Sequence, residues 1–200
     1  PGKVPRIGFV LGSSPAAIAA RMEAFRQGLR DLGYVEGQNL VIEYRYADGK
    51  YDRLQLLAAD LVKLQPDIIV TEGTPPTRAA MAATRTIPIV MTVTGDPVLA
   101  GLVTNLTRPG GNLTGASFFL SGLAVKRLQL LREVIPTLDR LTVVWNPGNP
   151  VHGPIVKAIE EEAKLLGIQV EHIMIRSPAD VGGALLAISD RQGGLLAIED

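Results

Sequence analysis

The chain of 200 residues contains no cysteine. Disulfides, thiolate metal sites and cysteine nucleophiles are therefore excluded. Aromatic residues make up only 4% of the sequence, and its 20 basic residues balance its 20 acidic residues without forming a basic cluster. Nucleic-acid binding needs stacking surfaces and basic patches, so we expect no nucleic-acid partner. Apolar runs also fall short of the roughly 18 residues that a membrane helix needs, so we expect no direct membrane span.

Sequence signatures of catalysis are missing as well. The chain has no Gly-x-Ser-x-Gly nucleophile elbow, no Walker A loop and no G-x-G-x-x-G fingerprint. The two histidines, His152 and His172, lack a nearby carboxylate pattern typical of a metal site. We therefore expect both histidines to be structural, and we expect no catalytic residue, no metal and no cofactor.

The sequence is rich in apolar residues, which make up 46% and are enough for a packed core. Apolar segments of strand length alternate with segments of helical periodicity, and this alternation predicts an α/β fold built from parallel βαβ units. Ser14 and Pro15 predict the start of the first helix, and 98–103 is a candidate for an additional short strand. The main strands are expected at 6–11, 40–46, 67–71, 88–93, 113–118, 141–145, 168–175 and 194–198.

A Gly/Pro-rich joint at 108–112 divides this pattern into two series. We expect an N-terminal lobe at 1–107 and a C-terminal lobe at 113–200, each with a Rossmann-like parallel sheet, and a hinge crossover at the joint. The last segment, 194–200, has the composition of a buried parallel strand, and such strands normally lead into a covering helix. We therefore expect the second lobe to be incomplete at its C-terminal end.

Small polar and acidic residues follow the predicted strands at their carboxyl ends, where open α/β sheets bind ligands. Such a set suits a small zwitterion, because helix starts attract a carboxylate and acidic side chains accept hydrogen bonds from an ammonium group. The candidate ligand-binding residues are Ser13, Ser14, Glu72, Thr74, Thr94, Asp96, Ser117, Asn146 and Asn149.

Several of these candidates also have a purely structural interpretation. Ser14 is typical of a helix cap, and Glu72 is compatible with a solvated loop charge. Asp96, Asn146 and Asn149 each lie beside a proline or glycine, where turn formation alone explains an Asp or Asn.

Three aromatic residues are also relevant to the candidate ligand-binding site. Trp145 ends an apolar strand and is interpreted as a core residue. Tyr51 and Phe119 are candidates for an aromatic wall, although the sequence does not place them relative to the polar candidates.

Short motifs are spread along the chain at 25–39, 51–54, 74–75, 95–98, 101–103, 108–115 and 145–150, beginning with FRQGLRDLGYVEGQN. This ordered set resembles the bacterial ABC-transporter substrate-binding proteins of the tryptophan/tyrosine-uptake type. The resemblance covers essentially the whole chain. It implies a type I periplasmic binding fold, in which two Rossmann-like lobes close on a small ligand.

The resemblance also implies a function, that of an extracytoplasmic solute-binding protein rather than an enzyme. The expected ligand is a small polar molecule, an amino acid with an aromatic one favoured, and the expected partner is a membrane ABC permease. The expected location is periplasmic or extracellular and membrane-associated, with a signal or lipoprotein segment already removed. The residues alone leave two alternatives open, a ligand-sensing domain of a signalling protein and a two-lobed α/β enzyme of the transferase type.

Overall fold

The structure, a computed structural model, describes residues 3–107, 109–117, 120–189 and 193–199. The chain divides into two compact units, Pro1–Ser117 and Phe118–Asp200. No helix among the described residues is long and apolar enough to cross a membrane.

The first unit is a parallel five-stranded sheet with helices on both faces. Its strands lie in the order β2-β1-β3-β4-β5, and every pair of neighbours is parallel. All five carboxyl ends therefore lie along one edge of this sheet. Its elements are β1 (Arg6–Leu11), α1 (Ala19–Asp31), β2 (Val41–Tyr46), α2 (Leu54–Lys63), β3 (Ile68–Glu72), α3 (Thr74–Ala83), β4 (Ile89–Thr94) and β5 (Leu113–Ser117), with a 3-10 turn at Tyr51–Arg53 before α2.

The alternation of side chains along β1 assigns the helices to faces. Phe9 packs edge-on against Phe25 of α1, with ring centroids 5.0 Å apart. Gly8, the preceding residue, faces the other side, where it lies against Leu61 of α2, and α2 packs against α3. The chain therefore leaves β1 toward one face and leaves β3 toward the opposite face.

The second unit contains a parallel three-stranded sheet in the order β7-β6-β8. Its core is formed by the inward residues of these strands and the apolar faces of two helices, including the fully buried Leu128, Val143 and Ile159. The elements are α4 (Leu120–Val134), β6 (Arg140–Trp145), α5 (His152–Leu165), β7 (Gln169–Met174), α6 (Val181–Ser189) and β8 (Gly194–Ala197), with a 3-10 turn at Pro178–Asp180.

The boundary between the units differs from the sequence prediction. Residues Leu113–Ser117 were expected to open the second lobe, but they form β5 and pair with β4 of the first sheet. The segment 109–112 leads directly into β5, and the side-chain amide of Asn112 holds it by donating a hydrogen bond to the Ile87 carbonyl at 2.7 Å. The structure therefore places the boundary after Ser117 rather than at 108–112, because the strand pairs in parallel with β4. Arg108 lies outside the described residues.

Two local predictions are wrong. Helix α1 begins at Ala19 with Ile18 as its N-cap residue, so Ser14 does not cap it. Ser14 instead holds the preceding turn, where its Oγ accepts a hydrogen bond from the Ala17 amide at 3.4 Å. The segment 98–103 is a series of turns rather than a strand, because its amides bond back to the carbonyls of Asp96 and Pro97.

Strand β4 contains a bulge at Val93. Its pairing with β5 shifts register between Met91 and Thr94, and Val93 itself has φ of 46°. A β-branched residue is unfavourable in this left-handed region, with a cost of about 1–2 kcal/mol. The strain lies directly before Thr94, one of the predicted site residues.

We expect Val93→Asn to increase the free energy of unfolding by about 1 kcal/mol, because asparagine tolerates the left-handed region. Val98→Asn is the matched control, because both valines are 43% exposed and Val98 is not among the residues with positive φ. Urea denaturation of both variants measures the difference. A V93N variant no more stable than V98N would show that Val93 carries no strain.

Candidate functional site

The carboxyl edge of the first sheet brings together most of the predicted site residues. Two of them follow β1, two flank the β3–α3 connection, two lie at or just after the end of β4, and one ends β5. They are Ser13, Ser14, Glu72, Thr74, Thr94, Asp96 and Ser117. Asn146 and Asn149 belong to the second unit, at the carboxyl end of β6.

A crevice is expected in this edge between β1 and β3. With strand order β2-β1-β3, the loops after β1 and β3 turn to opposite faces of the sheet, and ligands of open α/β sheets bind at such a switch point. Gly12 lies at this point. A Cβ atom placed on Gly12 would lie 3.2 Å from Cε1 of Tyr51 and 3.6 Å from Cγ of Pro76, so the tyrosine ring and the start of α3 pack close to its backbone.

Glu72 is the last residue of β3, and the two oxygens of its carboxylate lie in different environments. Its Oε1 forms an ion pair with Nη1 of Arg21, a residue of α1. Its Oε2 is buried and has no hydrogen-bond partner among the described residues. The Glu72 side chain is 12% exposed, whereas that of Arg21 is 60% exposed. Sequence reasoning missed Arg21, because nothing in the pattern of α1 distinguishes it from the other arginines of that helix.

Thr74 is the first residue of α3 and is also incompletely satisfied. The residue is 1% exposed, and its Oγ1 is buried without a hydrogen-bond partner among the described residues. The neighbouring hydroxyls are different, because Thr71 and Thr77 are bonded to each other at 2.7 Å and Thr77 also donates to the Gly73 carbonyl at 2.7 Å. The unsatisfied hydroxyl is therefore a specific feature of Thr74.

The residues at the end of β4 have structural roles. Thr94 is fully buried, and its hydroxyl donates to the Thr92 carbonyl at 3.3 Å. The Oδ1 atom of Asp96 accepts hydrogen bonds from the amides of Val98 and Leu99, at 2.9 and 3.0 Å. The turn interpretation of Asp96 is thus correct for this oxygen. Ser117 is half-buried at the end of β5.

In the second unit, Asn146 and Asn149 build the turn between β6 and α5. Oδ1 of Asn146 accepts from the Gly148 amide at 2.8 Å, and Oδ1 of Asn149 accepts from the Val151 amide at 3.3 Å. Both side chains are buried. Their turn roles, which the sequence also predicted, account for these carbonyl oxygens; a contact with a ligand stays a prediction.

His152 stabilises the backbone of this turn. The residue is fully buried, and its Nδ1 accepts a hydrogen bond from the Asn146 amide at 3.0 Å. Nε2 therefore carries the proton and donates to the Glu199 carbonyl, also at 3.0 Å. The ring joins the end of β6 to the residues after β8, which is the structural role that the sequence predicted for this histidine.

The predicted aromatic residues have separate positions. Trp145 packs against the core of the second unit, as predicted, with the His172 ring edge-on at a centroid distance of 6.4 Å. Nε2 of His172 lies 3.0 Å from Oε1 of Glu160. Tyr51 lies beside Gly12 in the first unit. Phe119 lies outside the described residues.

The remaining chemistry of the described residues gives no sign of a metal centre. No group of three or more His, Asp or Glu side chains is arranged to hold a metal ion within the described ranges. The clearest electrostatic perturbation lies on β2, where burial raises the pKa of Tyr44 to about 12 against the opposing effect of a hydrogen bond from Arg26. This pair lies outside the candidate residues.

Comparison with known proteins identifies the family of this chain. The chain matches the ABC transporter substrate binding protein family over residues 9–200. It is similar to a tyrosine-binding protein of Clostridioides difficile (strain R20291), with 32% identity over 166 residues, which cover 83% of this chain and 48% of that protein. The chain therefore spans about half the length of this curated relative.

Two solved structures show the same fold. A conserved domain protein from Vibrio cholerae has 32% identity and a TM-score of 0.82, with 94% of this chain and 63% of that chain covered. A Streptococcus pneumoniae protein solved in complex with L-Trp has a TM-score of 0.80 at 22% identity, with 99% of this chain and 66% of that chain covered. The latter similarity concerns the fold alone.

These findings confirm two predictions made from the sequence. The parallel α/β architecture is that of type I periplasmic binding proteins. The family match extends over nearly the whole chain, and the similarity to the curated relative is independent support for it. The chain belongs to the family of ABC transporter substrate-binding proteins.

Proposed function

We propose that this protein binds a small polar ligand, an amino acid with aromatic ones favoured, and presents it to an ABC permease for uptake. It acts in the periplasm or at the outer surface of the cell and binds its ligand without transforming it. Family membership supports a binding role, and the names of two similar proteins, one tyrosine-binding and one solved with L-Trp, support an aromatic amino acid.

One observation carries the proposal: two buried polar atoms at the β3–α3 connection, Oε2 of Glu72 and Oγ1 of Thr74, lack partners among the described residues. Leaving a buried polar group unsatisfied costs about 1–3 kcal/mol, and more for a charged group. A ligand that supplies hydrogen bonds to these two atoms would offset this cost. Both atoms lie beside the switch point of the sheet, where ligands of this fold class bind.

Tyr51 supports the preference for an aromatic ligand. Its ring lies against the backbone of Gly12, at the same end of β1 as Ser13 and Ser14. An aromatic surface next to hydroxyl and carboxylate groups suits a ligand that combines an aromatic ring with a polar end. The hydroxyl and carboxylate side chains suit the polar end of an aromatic amino acid, and the Tyr51 ring suits its aromatic side chain.

The direct test is a thermal-shift screen of the protein against the amino acids, followed by calorimetry with L-tyrosine and L-tryptophan. A ligand at 100 times its dissociation constant stabilises a protein by about 2.7 kcal/mol. We expect stabilisation by aromatic amino acids and recovery of the ligand unchanged after prolonged incubation. Absence of any shift across the amino acids, or chemical conversion of the ligand, would contradict the proposal.

The site residues are tested by Glu72→Gln. Replacing one carboxylate oxygen by an amide removes a charge-assisted hydrogen bond, so we expect affinity for L-tyrosine to fall about 10- to 100-fold. Glu43→Gln is the matched control, because Glu43 also lies on a strand of this sheet and also pairs with an arginine, Arg45, at 3.7 Å. Equal affinity of the E72Q and E43Q variants would remove Glu72 from the site.

A further inference from the structure

The β3–α3 connection contains two buried polar atoms that have no hydrogen-bond partner among the described residues. Oε2 of Glu72 is a buried acceptor, and Oγ1 of Thr74 is a buried hydroxyl that can donate or accept. A single residue, Gly73, separates them in the chain. Both groups therefore belong to one short connection at the carboxyl edge of the first sheet.

The chemistry of this pair determines which ligand group it accepts. A carboxylate is an acceptor only, so the buried oxygen of Glu72 is satisfied by an N–H or O–H donor and repels a second carboxylate. An ammonium group carries three donors and a positive charge. It can donate to Oε2 of Glu72 and to Oγ1 of Thr74 together, which satisfies both groups at once.

Arg21 fixes this arrangement from the neighbouring helix. Its guanidinium pairs with Oε1 of Glu72, so only Oε2 is left to accept a hydrogen bond from a ligand. The contact joins residues 51 positions apart and ties the start of α1 to the end of β3 across the switch point. A mostly exposed arginine that holds a mostly buried carboxylate acts as a positioning residue, because it sets the direction of the remaining oxygen.

We propose that Glu72 and Thr74 form an amine-specific subsite whose geometry is set by Arg21. This inference rests on the proposed function and goes further by assigning the basis of ligand selection. The subsite binds the ammonium group of an amino acid and discriminates against aromatic carboxylic acids that have no amine. The ion pair between Glu72 and Arg21 decides between these two ligand classes.

The test compares two probes that differ only in the amine, L-tyrosine and 3-(4-hydroxyphenyl)propionate, by calorimetry on the wild-type protein and on Arg21 variants. We expect the wild-type protein to bind L-tyrosine about 100-fold more tightly than the deaminated acid, from two hydrogen bonds to a charged group. We expect Arg21→Met to lower the affinity for L-tyrosine about tenfold and to leave the affinity for the deaminated acid unchanged.

Two further variants separate positioning from folding. Arg21→Lys keeps a cation beside Oε1 and is expected to restore most of the affinity for L-tyrosine. Arg30→Met is the control, because Arg30 also lies on α1, is 40% exposed and pairs with Glu23 rather than with the site. We expect R30M to bind both probes as the wild-type protein does.

Different results would overturn different claims. Equal binding of the two probes by the wild-type protein would refute the amine subsite while leaving ligand capture intact. An R21M variant that loses affinity for both probes equally, or an R21K variant that restores nothing, would refute the positioning role. If the wild-type protein bound neither probe nor any amino acid, the proposed function itself would be wrong, and the subsite with it.

Discussion

Replacing Gly115 by alanine is expected to destabilise the first unit by at least about 3 kcal/mol, from backbone strain of about 1–3 kcal/mol and overpacking of a similar size. A Cβ atom at this position would lie 2.0 Å from the Met91 carbonyl oxygen and 2.7 Å from its amide nitrogen. The contact atoms belong to the backbone of the neighbouring strand and cannot rotate away. Gly115 also has φ of 136°, which alanine rarely adopts.

Because folded domains are stable by only about 5–15 kcal/mol, the G115A variant is expected to accumulate poorly or to unfold at a much lower denaturant concentration. Gly28→Ala is the control. Gly28 lies inside α1 with no atom within 4 Å of the added methyl group, so alanine there is expected to stabilise by about 0.5–1 kcal/mol. A G115A variant as stable as the wild-type protein would show that β5 does not pair with β4 as described.

The second large effect is expected at the contact between β1 and α2. Leu61 is fully buried, and its replacement by alanine is expected to cost about 3–5 kcal/mol through lost burial and an unfilled cavity. The opposite change, Gly8→Ala, places a methyl group 2.7 Å from Cδ2 of Leu61 and is expected to cost about 1–3 kcal/mol.

The double variant G8A/L61A then tests the contact itself. The methyl group at position 8 enters the space that Leu61 leaves, so we expect the pair to be about 1–2 kcal/mol more stable than the sum of the single changes. G28A/L61A serves as the reference cycle, because an alanine at position 28 contacts nothing, and its effects are expected to add within about 0.5 kcal/mol. Additive behaviour of both cycles, measured by urea denaturation, would contradict the packing of α2 on this face.

Much of the fold could be predicted because buried parallel strands and amphipathic helices have strong local signals. The apolar segments predicted at 6–11, 67–71 and 141–145 are too short for helices and too hydrophobic for loops. All three are strands, at Arg6–Leu11, Ile68–Glu72 and Arg140–Trp145. Within each sheet, the parallel pairing of the strands follows from the helices that connect them. The carboxyl-edge location of the candidate residues was thus available from the sequence.

The errors concern features that depend on tertiary contacts. Nothing in the sequence of 113–117 shows whether this strand pairs with β4 at the edge of the first sheet or begins the second unit. The difference between these two arrangements depends on strand-pairing energy. The polar segment that precedes it was interpreted as a hinge, although it is held by Asn112 within the first unit. Likewise, Ser14 fits a helix cap by type, but the chain makes another turn before α1 begins.

The candidate site was predictable in residue type but not in detail. Glu72 and Thr74 were identified from their place after a strand, whereas the ion pair between Glu72 and Arg21 could not be, because it joins residues far apart in the chain. Which hydroxyl is left unsatisfied also depends on neighbours. Thr71 and Thr77 satisfy each other only because β3 and α3 bring them within hydrogen-bond distance.

The imidazole of His152 has a consequence for the second unit. Its two nitrogens link the Asn146 amide to the Glu199 carbonyl, which lies 47 positions further along the chain than the histidine. The turn that presents two amide side chains is therefore not an autonomous loop. The imidazole ring couples the backbone at Asn146 to the backbone that follows β8, so the position of Asn146 depends on residues outside its own turn.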